Sequence, residues 1–391
     1  GAAKACNIAA NEARMKGTER VGPKPHTGSC AMGEVLDKNV CFAGSHSVKN
    51  DHQREFKMTI TSTLPKLLSL TAGLVFSAST MAANWNIAVG DGGGSAQEAL
   101  GLKFIEALEK NTAGKHSAKL FLNGQLGSEQ DTVNDAAIGT LDFSILASNN
   151  LAPFSPTLGI LSLPYIFESL DQAQKTAEGD VGKQLIKNTI RDSGVRIVGW
   201  TYSGFRVLSN SKRPIQKLAD LDDVVVRVPK NEIMIDTYKS WGNNPTPMAW
   251  SETFTALQQG VVDGQDTPYT TIYAMKFGEV QKYITDLHYL FLLEPLIVSE
   301  SLYQDQNEAT QNAILAAGTE ATAYSLQWLK DQEATIKKEL VSKYGMQIDS
   351  LQDEAEWAKR AQQAVWPKFY ESVGGKDKVN ELLRSLGRDE I

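Results

Sequence analysis

Cysteine is missing from everything after residue 41: its three copies, Cys6, Cys30 and Cys41, all fall within the first 57 of the 391 residues. From Asn84 onward the chain needs no disulfide and offers no thiol chemistry. Histidine is nearly as scarce there, represented by His116 and His288, far apart in sequence. That scarcity argues against a zinc site and against histidine-dependent catalysis, and no cofactor is expected. Positive charge is short as well. Residues 1–83 hold 10 Lys and Arg against 6 Asp and Glu, leaving the following 308 residues with 29 basic and 40 acidic side chains, net −11. An acidic body without a basic block speaks against nucleic acid and anionic membrane surfaces as partners. No later segment approaches the roughly 18 uninterrupted apolar residues of a membrane span.

What is present begins with a change of text at Met58. Residues 1–57 show no helix or strand period and are scattered with Gly, Pro, Asn and charge. They read as a non-native extension, with a disordered leader as the alternative. From Met58 a positive Lys66 precedes the largely apolar run Leu67 to Ala78, and Thr80-Met81-Ala82-Ala83 offers small residues for cleavage. Residues 58–83 therefore read as a secretory signal peptide, too short to span a bilayer, and Met58 is the expected initiator. The whole chain is 42% hydrophobic and 22% charged, the usual balance of a soluble globular protein. Its length suits two domains.

Trp85 to Val89 reads as a first strand, followed by Gly90-Asp91-Gly92-Gly93-Gly94-Ser95 and an amphipathic helix ending near Gly114. A dinucleotide fingerprint fails here. Its sixth position is Ser95, and the next strand, Ala118 to Leu122, ends in Asn123 rather than an acid. Free N–H groups at this helix start are the weaker expectation for a polar ligand. Ser128 should cap the next helix, with Asp131 completing a capping box, and Thr140 to Leu146 should be a strand leading into a loop at Ser148-Asn149-Asn150. One helix is expected from Leu170 to Asp192, then a strand Val195 to Tyr202, then Val207 to Asn210. Gln306 to Lys343 reads as an unusually long helix, with further helices at Asp353 to Val373 and Lys376 to Leu386. Trp328, Trp357 and Trp366 fall at packing positions in that helical region. Ala136 to Asp142 echoes Leu257 to Asp263: each ends a helix on Gly and places Asp three residues later. The echo suggests two lobes built on similar βα units.

Leu221 to Thr267 carries the strongest pattern. The apolar run Val224 to Val226 reads as a buried strand, Arg227 follows it directly, and Pro229 cannot extend the ladder. A guanidinium is thus placed at the carboxyl end of a buried strand, where open α/β sheets bind ligands, and its planar fork matches a carboxylate. A structural Arg paired with a nearby acid is the competing reading. The wording Arg227-Val-Pro229, then Pro-Thr-Pro-Met248, then Ala256-Leu-Gln-Gln-Gly-Val-Val-Asp-Gly-Gln265 resembles the DctP-type substrate-binding proteins of TRAP (tripartite ATP-independent periplasmic) transporters. Asn111 to Lys115, Gly124 to Glu129 and Leu163 to Phe167 extend the resemblance, which covers Asn84 to the C-terminus.

The resemblance implies an α/β, two-lobed periplasmic binding protein (Venus-flytrap) with mixed sheets, crossing strands and a long helix bridging both lobes. Lobe I would comprise 84–203 and 293–331, and lobe II 204–292 and 332–391. The chain would be an exported, monomeric receptor without enzymatic activity. It would close on a small organic acid and deliver it to the small and large membrane subunits of a TRAP transporter. A sensor module and a periplasmic enzyme are the alternatives. Arg227 would pair with the ligand carboxylate, and Arg206 would supply a second basic contact or a hinge salt bridge. Trp250 would lay its ring against the ligand or sit in the core. Thr267 departs from the family's Glu-Asn, here Asp266-Thr267, which would alter the polar end of the site. Asp91, Ser148 and Asn149 match strand-end loops facing the cleft, and Asn210 opens the second lobe. Asp91 would repel a second carboxylate but suit a hydroxyl or amine, favouring a hydroxy or amino monoacid. Asp263 and Asp266 are also compatible with a cation, as a few relatives bind carboxylates through a metal.

Overall fold

The structure, a computed structural model, describes residues 83–391. The expected extension and nearly all of the expected signal segment lie outside the described residues. The strands are β1 (Ala83–Val89), β2 (His116–Phe121), β3 (Phe143–Ile145), β4 (Val195–Asn210), β5 (Val226–Val228), β6 (Thr246–Pro247), β7 (Gly264–Pro268), β8 (Tyr283–Asp286), β9 (Phe291–Ser299) and β10 (Gln347–Ser350). Between them run α1 (Ala96–Asn111), α2 (Glu129–Ala137), α3 (Ser148–Leu151), α4 (Leu170–Glu178), α5 (Asp180–Ser193), α6 (Glu232–Ser240), α7 (Trp250–Gln258) and α8 (Tyr269–Ala274). The helices α9 (Glu300–Gln304), α10 (Glu308–Tyr344), α11 (Glu354–Phe369) and α12 (Lys376–Ser385) complete the set.

Two mixed sheets share one strand. In the first, β1 lies parallel between β2 and β3, and β3 meets β9 antiparallel. The first part of β4 pairs with the whole of β9, from Val195 against Ser299 to Phe205 against Phe291. In the second sheet, the end of β4 pairs antiparallel with β7 and β8, while β5 lies parallel between β6 and β7. The expected break after Tyr202 is thus a single 16-residue strand. It changes sheets through register shifts at Ile197/Gly199 and Tyr202/Gly204, because a bulge bends a strand without ending it. Parallel strands β1, β3, β5 and β7 from both sheets point their carboxyl ends at one cleft, the place where such sheets bind ligands.

The long helix forms as the sequence predicts. Asn307 caps α10 through Thr310 N–H, and Gly345 ends it in the left-handed conformation after 37 residues. Its Ile314, Ala317 and Ala321 pack in the core of β1, α1 and β3, while Ile336 and Leu340 pack with Val207, Ile272 and Ile284 of the other lobe. Trp357 and Trp366 are buried, as their spacing suggested. The C-terminal helices touch both cores: Trp357 and Ala361 pack beside Trp241, whereas Val365, Trp366 and Leu382 pack beside Phe167 and Leu185.

Four local expectations shift. The single helix Leu170 to Asp192 divides at Gly179, which is extended (φ −87°, ψ −169°), so α5 turns away from α4. The strand at Thr140 to Leu146 shrinks to β3, because Thr140 and Leu141 donate their N–H groups back to Asp135 in the turn after α2. The loop at 148–150 is the short helix α3. Lastly, β5 begins at Val226, so Arg227 lies within the strand rather than after it: Arg227 pairs with Gln265 of β7 and Thr246 of β6. The echoed segments are structurally alike. Gly139 and Gly260 are both left-handed, and the carboxylates of Asp142 and Asp263 each accept a backbone N–H of the neighbouring parallel segment, Asn86 and Val225 respectively, at 2.8 Å.

Candidate ligand-binding site

Asp91, Glu129, Ala147, Asn149, Asn150 and Glu294 from the first lobe meet Arg206, Arg227, Pro229, Trp250, Thr267 and Thr271 from the second around a cavity of about 20 Å3. That is room for about one water. Through the shared walls Glu129, Asn150 and Trp250 it adjoins an outer cleft of about 280 Å3 that reaches Ser128, Lys230 and Glu252. Six of the eight residues singled out in the sequence come together here. Ser148 and Asn210 do not. Ser148 is buried in α3 beside the wall, where its neighbours Ala147, Asn149 and Asn150 do the lining. Asn210 stands at the far end of β4, and its Oδ1 accepts the N–H groups of Lys212 and Arg213, fixing the turn that leaves the strand.

The basic wall is built on β4, β5 and β7. Arg227 is buried, and its Nε and Nη2 donate to the Met248 carbonyl at 3.2 and 2.7 Å. It forms no ion pair among the described residues, so the structural-pair reading does not hold for it. Its guanidinium carbon sits 5.4 Å from the Trp250 ring centroid, a cation–π contact. Burial first, and then the Arg206 cation, push Arg227 down to about 9, so it still carries its charge at neutral pH. Arg206 does have an acid: its Nη2 donates to the Asp266 carbonyl at 2.7 Å and to the Asp266 carboxylate at 3.4 Å. Burial opposes the charge on Arg206, but Asp266 together with Tyr289 and Tyr238 outweighs it and raises its pKa. Tyr289 donates its hydroxyl to the other oxygen of Asp266, which fixes the carboxylate behind the arginine. Arg206 Nε, Asn149 Nδ2 and Thr267 Oγ1 are buried without a hydrogen-bond partner among the described residues. Three unmatched polar groups at one cavity mark where a polar ligand would be held, since burial without partners is unfavourable.

The acidic wall belongs to the first lobe. Glu129 is the first residue of α2, and its carboxylate accepts from the Ala147 N–H at 3.2 Å, from Asn150 Nδ2 and from Gln97 Nε2 at 3.3 Å. The same Gln97 nitrogen donates to Glu294 of β9 at 2.8 Å, and Ser203 donates its hydroxyl to that carboxylate. A side chain on Gly90 would place its Cβ 2.4 Å from the Glu129 carboxylate, so only glycine leaves room for this wall. Burial, followed by the charges of Glu294 and Glu129, raises Asp91 well above the ordinary carboxylate range. Burial also raises Glu129 and pushes Glu294 up to about 7. The N–H groups of the glycine-rich turn do not face the cleft freely. That of Asp91 donates to Gln97 Oε1 at 3.0 Å, and that of Gly94 to Glu98 at 2.6 Å.

Several hydrogen bonds cross the cleft, among them the Thr271 hydroxyl to Asp91 at 3.4 Å and the Gly92 N–H to Met275 Sδ at 3.1 Å. Trp250 Nε1 donates to Asp91 at 3.0 Å, Asn231 Nδ2 to the Asn149 carbonyl at 2.9 Å, and Arg206 Nη1 to Asn149 Oδ1 at 3.5 Å. Gln130 Nε2 reaches the Lys230 carbonyl at 3.3 Å. The geometry is that of two lobes closed on a polar chamber.

The sequence pattern of bacterial extracellular solute-binding protein family 7, DctP, matches residues 93–372. The chain belongs to this family. Among the proteins it is similar to, solute-binding protein RD1_1052 of Roseobacter denitrificans (strain ATCC 33942 / OCh 114) is 34% identical over 272 residues, 70% of this chain and 82% of that protein. The structure of that relative with bound L-galactonate matches at a TM-score of 0.73 and 31% identity, covering 78% of this chain and 99% of that one. A TRAP solute-binding protein from Polaromonas sp. JS666, bound to D-erythronate, matches at a TM-score of 0.73 and 30% identity, over 77% and 98%. The 2,3-diketo-L-gulonate-binding periplasmic protein YiaO of Escherichia coli (strain K12) is 29% identical over 60% of this chain and 71% of that protein. The chain is thus a TRAP substrate-binding protein of DctP type with the two-lobed fold of that family. Within the DctP frame, Glu129, Glu294, Gln97 and Thr271 are among the site residues that sequence reading missed. Glu294 had a visible signal, a lone acid in the apolar run Leu290 to Val298.

Proposed function

We propose that this DctP protein is the extracytoplasmic receptor of a TRAP transporter for a monocarboxylate rich in hydroxyl groups, such as a sugar acid. The observation that carries this reading is Arg227: a buried guanidinium that forms no ion pair among the described residues, beside three polar groups without a partner among them. Its remaining donors suit a ligand carboxylate, and Arg206, Asn149 and Thr267 suit the polar atoms next to it. Asp91 and its neighbouring acids accept hydroxyls and oppose a second carboxylate. The L-galactonate and D-erythronate bound by relatives at least 30% identical agree with that chemistry. The cavity is smaller than such a ligand, so binding starts from a parted cleft and favours closure through contacts to both lobes.

In this reading the lobes exchange chain near residues 203/204 and 292/293, with the C-terminal helices laid across both. Residues 58–83 direct export to the periplasm, and the closed receptor docks as a monomer on the small and large membrane subunits. It performs no chemistry on its ligand and uses no metal. A thermal-shift screen against a panel of carboxylates tests the ligand class, because a ligand bound only by the folded state raises the melting temperature. Hydroxylated monocarboxylates should give the largest shifts. A response confined to dicarboxylates, or to compounds without a carboxylate, would overturn the assignment.

A further inference from the structure

The closed chamber holds more acid than base. Asp91 follows β1, Glu129 opens α2 and Glu294 lies in β9, all buried and all lining the cavity. Facing them are Arg206 from β4 and Arg227 from β5, while Asp266 from β7 is ion-paired with Arg206. Tyr238 and Tyr289, behind Asp266, are held neutral by burial. With Arg206 and Asp266 offsetting each other, one guanidinium is left to balance three carboxylates. Gln97 joins two of those acids through a single amide nitrogen, 3.3 Å from Glu129 and 2.8 Å from Glu294, which holds them close. A ligand carboxylate placed at Arg227 would be a fourth anion. Like charges confined out of water cannot all remain ionised. Among the described residues no group of acids is arranged to hold a metal ion. The counter-charge left is a proton.

Resting on the carboxylate-binding reading above, we infer that the receptor closes on its anionic ligand together with a proton, held by the Asp91–Glu129–Glu294 cluster, so that capture and proton uptake are one event. The link to closure is geometric. The cluster sits on one lobe, and the Trp250–Asp91 bond that shuts it in comes from the other. When the lobes part, water reaches the three acids and they ionise as ordinary carboxylates. When the lobes close, water is replaced by a wall with too little positive charge.

Calorimetry of the full chain tests this. Erythronate, galactonate, pantoate and glucuronate are titrated, and the tightest binder is measured at pH 7.5 in phosphate and in Tris, whose ionisation enthalpies differ widely. The binding enthalpies should differ between buffers by an amount equal to about one proton taken up, and affinity should fall towards tenfold per pH unit as pH rises from about 7 to about 8. Glu294→Gln and Asp91→Asn should each reduce the uptake in ligand-binding protein. Binding with equal enthalpy in both buffers and affinity flat with pH would overturn the inference alone. So would undiminished uptake in both variants, or a requirement for sodium or calcium in place of the proton. Failure of all four acids to bind would instead remove the ligand class, and this inference with it.

Discussion

The two walls of the cleft are made of opposite charges and are supported in opposite ways. On the second lobe, Arg206 has its charge matched by Asp266 and Tyr289, and Arg227 rests on a carbonyl and an indole face. On the first lobe, Asp91, Glu129 and Glu294 form no ion pair among the described residues and are held by neutral donors: Trp250, Thr271, Gln97, Asn150 and Ser203. The basic wall keeps its arginine charges at neutral pH, whereas the acidic wall is fixed in place but free to change charge. Such a pairing lets one wall bind an anion firmly while the other adjusts to what the anion brings.

The sharpest way to break that contrast is to remove the acid that anchors the basic wall. Asp266→Asn leaves Arg206 buried without its counter-charge and should cost about 3–5 kcal/mol of unfolding free energy, measured by urea denaturation. Arg227→Ala should leave the fold largely intact but cost about 2–5 kcal/mol of ligand binding by calorimetry; near wild-type affinity would take Arg227 out of the site. Trp250→Phe keeps the ring over Arg227 while removing the donor to Asp91, a hydrogen bond worth about 0.5–1.5 kcal/mol, and should weaken closure accordingly. On the acidic wall the expectation concerns pH. Glu294 holds its proton more tightly when buried, at about 7, than in the unfolded chain. Its contribution to stability is therefore fully present below its unfolded value and is lost as pH rises through about 7. Glu294→Gln should flatten the melting temperature against pH in that window, and an unchanged profile would show that Glu294 does not titrate there. Asn210→Ala should have the smallest effect on binding, within about 0.5 kcal/mol, since Asn210 serves only a distant turn.

The basic wall was legible in the sequence and the acidic wall mostly was not. Arg227, Pro229, Trp250 and Thr267 lie within 41 consecutive residues whose strand, helix and turn signals fix their relative positions. Glu129, Gln97 and Glu294 come from α2, α1 and β9, brought together by pairings between segments up to 197 residues apart. Glu129 in the first turn of a capped helix looks like any acid complementing a helix N-terminus. Gln97, the second residue of α1, looks like a surface residue until the fold buries it. Asn210 misled because a polar residue at a strand end can face either end of the sheet, and only the register of β4 against β7 decides which. The missed break in α4–α5 has a similar cause, since a glycine inside a periodic stretch does not say whether the chain stops there.

The 37 residues of α10 run roughly 55 Å and are embedded at both ends in different hydrophobic cores. A rod clamped in two bodies cannot serve as a loose tether. Any gaping of the jaws has to flex it or draw one of its ends across the packing that grips it, and β4 and β9 bend alongside. Mouth width is thereby limited by elasticity rather than by the reach of a linker, and the largest passenger this receptor admits is set partly by a helix that lies outside the chamber.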